Sequence, residues 1–398
     1  MKVETEYTTL AKVVDAEERY ELLTYKKMSI AAERGEGVWL YASDGRKYLD
    51  LYGGHAVAGT GHCHPHVVSA IREQADTLLF YSNIVYSEAR AHAAEKLTSV
   101  APPALRKVFF CNSGTEANEN AMRMARLCTG RDNVVTFSGG FHGRTADAIS
   151  ASFLGRYREL GKPNVPGHIE AEFGNIDSVR AVAEPDSVAA IMLEPIQSMA
   201  GVRTAPPRFF KQLRQLCQER GILLIYDEVQ TGVGRTGSWF FAGSEAGDSV
   251  VPDIVTLAKS LGSGVPVGAC LVNDDIAVKI KENDLGTTFG GGMLAMAAVK
   301  ATLEAVELNG MLANVVNVEA HLRQELHDVN KIAAVRGRGF LLGIEFKQNA
   351  GPIHKALLDR QIITGTSNDA KVLRLLPPLC LQSGEMDLFV ASLREILS

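Results

Sequence analysis

The chain has 398 residues, 46% of them apolar and 22% charged, with a formal charge of −5 and a pI near 6.1. That length exceeds what one hydrophobic core usually fills, so two or more domains are expected, burying roughly three quarters of the unfolded surface without staples. The mild negative charge excludes a field that attracts nucleic acid or an anionic membrane, and any anionic substrate must then be held by a few local arginines.

Cys63, Cys111, Cys128, Cys217, Cys270 and Cys380 are scattered without a CxxC pair. They read as buried free thiols in a reducing compartment rather than a disulfide framework. The first residues, MKVETEYTTLAKVVDAEERY, carry neither the apolar stretch nor the cleavage site of a signal peptide, and no run approaches a membrane span. A soluble cytoplasmic protein is expected.

In chain order, Ala16 to Met28 shows helical spacing. VWLY (38–41) and KYLDLY (47–52) flank Ser-Asp-Gly-Arg (43–46), a hairpin signal. Short apolar runs come next at 107–111, 133–137, 188–193, 222–226 and 254–257, between helical segments such as 115–128 and 208–219. Near-continuous apolar strands alternating with helices predict a parallel sheet covered on both faces. MLAMAAVKATLEAVEL (293–308) predicts one long helix closed at Asn309-Gly310, with another near 312–330. AVRGRGFLLGIEF (334–346) and KVLRLLPPL (371–379) read as strands of a smaller layer. The predicted division is a large domain at 66–307 and a small one built from 1–65 and 308–398.

Ligands of open parallel sheets gather at the carboxyl ends of the strands, so the residues just after each apolar run carry the functional information. After 107–111 stand Ser113, Gly114 and Thr115 at a helix start, where free N–H groups and the helix dipole suit a phosphate or carboxylate. After 133–137 stand Phe141, His142 and Arg144 in a glycine-rich loop, offering a flat face and a carboxylate fork. Glu194 comes directly after 188–193. Asp227, Val229 and Gln230 come after 222–226, and an acid at a buried strand end needs a cationic partner such as a pyridinium. Lys259 stands after 254–257 among small residues, as a nucleophilic amine with a lowered pKa would. Each signal alone also fits a helix cap, a surface loop or a snorkelling lysine. Together they meet the demands of pyridoxal 5'-phosphate (PLP), which needs its phosphate cradled, its ring stacked, its nitrogen protonated and its aldehyde tied to an amine.

Two other patterns lead nowhere. Gly232-Val233-Gly234-Arg235-Thr236-Gly237 fits a dinucleotide fingerprint, but no convincing helix comes after it. Gly61-His62-Cys63-His64-Pro65-His66 crowds metal-type ligands into five positions with no second cluster, so no metal is expected.

The runs NSGTEANENAMRMAR, FHGRT, LEPIQ, YDEVQTGVGRTG, LAKSLGSGVPVGA, GTTFGG and VLRLLPPL, with GHCHP, resemble the class III aminotransferases, and within them most closely the acetylornithine and ornithine aminotransferases. The resemblance covers nearly the whole chain from GVWLYASDGRKYLDL onward. It implies a PLP-dependent fold of type I: a three-layer α/β/α large domain with a mainly parallel sheet, plus a smaller α+β domain. It implies phosphate contacts from Ser113, Gly114 and Thr115, with Phe141 and Val229 on the two ring faces. His142 would lie beside the cofactor, Asp227 would bind the ring nitrogen and Gln230 the ring hydroxyl, with Glu194 behind them. Lys259 would hold the aldehyde and then shuttle the proton. Thr288 would reach the phosphate of a neighbouring subunit in a homodimer. Arg374 would take the carboxylate on glutamate's reacting carbon and Arg144 the far one. The implied reaction is a ping-pong transfer of the ω-amino group of N-acetylornithine, or a similar acylated diamino acid, to 2-oxoglutarate.

The chain departs from that pattern after EPIQ. Met199 stands where the family has a glutamate that pairs with the Arg374 position, so Arg374 is expected to face the pocket unpaired. That favours a rival reading, an α-amino acid donor; a PLP mutase or decarboxylase on the same scaffold is another. Gly292-Met293 replaces the family's Asn-Pro and adjusts only a helix start.

Overall fold

A computed structural model describes residues 9–398. Residues 1–8, the start of the segment read for a signal peptide, lie outside the described residues. No helix among those described is long and apolar enough to cross a membrane.

The centre is a seven-stranded sheet in the order Lys107–Cys111, Gly268–Val272, Ile254–Leu257, Leu223–Asp227, Val188–Leu193, Asn133–Phe137 and His168–Ala171. Only Gly268–Val272 runs antiparallel to its neighbours, so the carboxyl ends of the other six strands meet at one edge. The sequence reading overlooks this strand because GACLV is short and opens on glycine.

The two faces of the sheet reflect the period of two along each strand. Phe137, Leu193, Leu224, Tyr226 and Leu257 face a core with Phe209, Phe210 and Leu213 of the helix Pro207–Arg220. Val134, Met192, Ile225 and Ile254 face Ala117, Ala121 and Met122 of the helix Gly114–Thr129. Helices therefore cover both faces, and the strands read as continuous apolar runs because neither face meets water.

A second, antiparallel sheet joins Ile332–Arg338, Leu341–Phe346, Val372–Leu375 and Gly365–Thr366. The helices Met311–Leu326 and Ser383–Leu397 pack on it through Val318, Leu322, Phe389 and Leu393. A third sheet contains the hairpin Trp39–Ala42 and Lys47–Asp50, and its last strand, Ile362–Ile363, pairs in parallel with Leu49 and Asp50. The early chain is thus stitched to the late chain beside Arg374.

The helix expected over Ala16 to Met28 lies earlier, at Leu10–Tyr20. The Thr9 side chain caps the Lys12 N–H and fixes its start. Beyond Tyr20 the chain turns back, and Lys27 pairs with Glu17 and Glu21. The long helix Met293–Leu308 ends as expected, with Gly310 in the left-handed region. The expectation of buried cysteines holds for Cys111, Cys217 and Cys270; Cys63 is exposed, and all six are free.

Candidate active site

The edge where six strands end opens on a cavity of about 350 Å³. Its lining brings together Ser113, Gly114, Thr115, Phe141, His142, Glu194, Asp227, Val229, Gln230 and Lys259. These positions come from five different strand ends, spread over some hundred and fifty residues of chain only because the parallel topology returns every strand to the same edge.

The floor is an acid held by donors. Asp227 is buried, at 4% exposure, at the last position of its strand. Its Oδ2 accepts Asn118 Nδ2 and His142 Nδ1, each at 2.8 Å, and its Oδ1 accepts the Val229 N–H at 3.1 Å. Asn118, in turn, accepts from the Thr256 hydroxyl at 2.6 Å and donates to the His142 carbonyl at 2.7 Å. Burial opposes protonation of His142, but its bond to Asp227 and the charges of Asp227 and Glu194 outweigh it and raise its pKa. Glu194 accepts the Phe141 N–H at 2.8 Å, and burial pushes its pKa up to about 7.

Lys259 opens a 3₁₀ turn two residues past its strand and takes φ of 46°, a left-handed conformation that a non-glycine residue adopts at a cost. Burial lowers its pKa against the pull of Asp227 and Glu194, with the charge of Arg374 adding to the depression. The wall opposite is the start of the helix Gly114–Thr129, capped by Ser113, whose side chain accepts the Glu116 N–H. The first N–H groups of such a helix have no carbonyl partner within it. Gly143, at φ of 144°, lets the loop carrying Phe141 reach this helix start: a Cβ there would lie 2.2 Å from Thr115 Oγ1.

Gln230 Oε1 is buried with no hydrogen-bond partner among the described residues, an acceptor on a residue that lines the cavity. A phosphorylated, protonated pyridine bearing a hydroxyl matches this donor and acceptor set: free N–H groups for an anion, a carboxylate for a ring N–H, an orphan acceptor for an O–H, and a low-pKa amine.

Thr288, Arg144, Arg374 and Met199 fall outside the cavity lining. Thr288 is exposed, beside Phe289 at 66% exposure. Arg144 is exposed; its guanidinium lies 5.0 Å from the Tyr157 ring centroid and 5.5 Å from that of Tyr25. Arg374 is buried at 2%, and its hydrogen-bond partners among the described residues are all neutral. It donates to Ser198 Oγ at 3.0 Å, the Tyr52 hydroxyl at 2.6 Å and the Thr366 carbonyl at 2.6 Å. The residue meeting Arg374 is thus Ser198 rather than Met199, whose carbonyl accepts the Asn368 N–H. Sequence reading also passes over Asn118, although it sits inside the NSGTEAN run, and Tyr52, which no motif marks.

Two of the three histidines of the 61–66 tract are committed elsewhere: His62 Nε2 to Asp50 and His66 Nε2 to Glu304, both at 2.8 Å. The GVGRTG run is a series of turns, and only the three-residue 3₁₀ turn Glu245–Gly247 lies between it and the next strand. Its Arg235 is buried against the carbonyls of Phe340 and Pro377.

Residues 23–397 match the family Aminotransferase class-III. The chain is 42% identical to the acetylornithine aminotransferase of Methanopyrus kandleri, over 96% of this chain and 97% of the relative. It is 40% identical to that of Agrobacterium fabrum, over 89% and 90%. Among solved structures it is similar to the ornithine aminotransferase of Toxoplasma gondii, with TM-score 0.91, 26% identity and coverage of 98% and 95%. The acetylornithine aminotransferase of Elizabethkingia anophelis gives TM-score 0.85 at 28% identity, covering 98% of each chain.

Proposed function

Because the chain belongs to the class III aminotransferases, which are PLP-dependent transaminases, we propose that it transfers the ω-amino group of N-acetylornithine, or a similar acylated diamino acid, to 2-oxoglutarate by a ping-pong cycle, giving glutamate and a semialdehyde. The observation that carries the transaminase site is the shared cavity of Lys259 and the thrice-bonded Asp227. The donor rests on the relatives, acetylornithine aminotransferases 35–42% identical to the chain.

When bound, PLP supplies an aldehyde for the amine and a protonated ring that draws electrons from the reacting carbon. The N–H groups of Gly114 and Thr115, with Ser113, hold its phosphate. Phe141 and Val229 pack on the ring faces. Asp227 keeps the ring nitrogen protonated, and Asn118 and His142 keep Asp227 in place. Gln230 accepts from the ring hydroxyl, and Glu194 orients the Phe141 backbone. Lys259, neutral more readily than an exposed lysine, would take up and return the proton of the substrate's reacting carbon. Arg144 binds the far carboxylate of the substrate, and Arg374 the carboxylate on the reacting carbon of glutamate.

Thr288 completes the phosphate site of a second copy in a homodimer. The support is an exposed apolar run, Leu79, Phe80, Tyr81, Ile84 and Tyr86, beside exposed Phe289, whose ring lies 5.2 Å from that of Phe80. The division at 66–307 and the cytoplasmic location belong to the same proposal.

An α-amino donor is the second reading, favoured by an Arg374 that meets only neutral partners among the described residues. The test is spectroscopic. N-acetylornithine should bleach the long-wavelength band of the PLP enzyme in a single turnover, and 2-oxoglutarate should restore it. If only α-amino acids bleach the band, the second reading replaces the first.

A further inference from the structure

Among the described residues, Arg374 is a buried cation without an anion. Its three nitrogens each donate once, to Thr366 O, Ser198 Oγ and the Tyr52 hydroxyl, and none of these carries charge. A guanidinium has five N–H groups, so one remains on each terminal nitrogen, the number a bidentate carboxylate takes. The two hydroxyls accept from Arg374 and each keeps its own O–H to donate.

The seat of the Tyr52 ring is built for it. Gly365 lies directly across the sheet from Arg374, and a Cβ on it would come within 2.0 Å of the Tyr52 ring. The Asp50 carboxylate ties down the Tyr52 and Gly53 N–H groups at 2.9 and 2.8 Å. From Gly53 to Ala56 four successive residues hold positive φ, so this segment is kept in a conformation that the surroundings must impose. Its His55 ring packs on Tyr52 at 4.8 Å. Ser198, fully buried, closes the other side.

We propose that Tyr52 and Ser198 are positioning residues that hold the Arg374 guanidinium in one orientation with its charge uncancelled. The site is then a standing receptor for the carboxylate on a substrate's reacting carbon, entered without first breaking an ion pair. An acid pairing with the arginine would have to leave before each oxo acid bound; two hydroxyls stay and join the receptor. This inference rests on the reading of Arg374 as the carboxylate-binding residue.

The experiment titrates glutarate, a dicarboxylate that cannot react, into the PLP enzyme by calorimetry. Tyr52→Phe and Ser198→Ala should each raise its Kd about tenfold, and Ser198→Thr should stay near wild type. The single-turnover rate with N-acetylornithine, whose reacting carbon bears no carboxylate, should fall less than the rate with glutamate in Tyr52→Phe and Ser198→Ala. Arg374→Gln separates the two levels of the argument. If it weakens glutarate while the Tyr52 and Ser198 variants bind within twofold of wild type, the positioning proposal fails alone. If Arg374→Gln also binds normally, or wild type does not bind glutarate, the carboxylate role of Arg374 fails with it. A Tyr52→Phe protein that does not fold leaves Ser198→Ala and its threonine rescue to decide.

Discussion

His142 Nδ1 lies 2.8 Å from Asp227 Oδ2, with both side chains sealed from solvent. The imidazole must present N–H at that nitrogen, so the acid sets the tautomer, and Asn118 occupies the same oxygen from the other side. Asp227→Asn replaces an acceptor with an amide and removes the charge assigned to the ring nitrogen. Turnover should fall about a hundredfold or more while the unfolding midpoint moves little. Near-normal kcat in that variant would make Asp227 a structural acid.

Lys259 should be the point of covalent cofactor attachment. Borohydride reduction and then peptide mapping should find the label on the Lys259 peptide, and a label on another lysine overturns the assignment. Lys259→Ala should retain PLP through the Gly114 helix start but lose essentially all turnover.

Met199→Glu adds an acid next to Ser198. By offering Arg374 a carboxylate, it should shift the single-turnover ratio of N-acetylornithine to glutamate upward by about tenfold, corresponding to about 1.4 kcal/mol. An unchanged ratio means that position 199 does not reach the arginine.

Glu228 gives a pH prediction. Burial, against the N–H groups of Ala242 and Phe241 and the Thr231 hydroxyl, raises its pKa from 4.5 to about 7. The folded protein therefore binds this proton more tightly than the unfolded chain, and the group's contribution to stability falls as pH rises between those values. Glu194 acts with the same sign, so the comparison is between proteins. Urea unfolding across that range should show a shallower pH slope for Glu228→Gln. The variant should also lose about 1–3 kcal/mol in mild acid, because its amide N–H₂ meets an N–H of Phe241 or Ala242.

Thr288 and the exposed Phe289 predict that dilution to monomer releases PLP. Sedimentation at assay concentration, read with the cofactor absorbance, checks this; a monomer that keeps its cofactor and full activity contradicts it.

The strand ends are legible in the sequence because each buried strand is an unbroken apolar run, and the residues just past its end are polar for a reason other than solvation. Ser113, Phe141, Glu194, Asp227 and Lys259 are found that way and share one cavity. The early helix is misplaced because its apolar stripe, Leu10, Val13 and Val14, is confined to its first turns and none of its residues is buried. The partners of Arg374 are hidden for another reason. Tyr52, Ser198 and Thr366 lie 322, 176 and 8 residues away in the chain; only Thr366 shares a sheet with Arg374, and the other two reach it from just past strands of separate sheets that meet in the folded protein.

The parallel pairing of Ile362 and Ile363 with Leu49 and Asp50 also orders events during synthesis. On a ribosome the first hairpin emerges about 300 residues before its sheet partner, a wait of roughly 15–60 s at the usual elongation rates. Throughout that interval Tyr52 lacks both the glycine that seats it and the arginine it holds. A nascent chain stalled before residue 362 should therefore leave the hairpin open to protease, even with the seven strands of the central sheet already made.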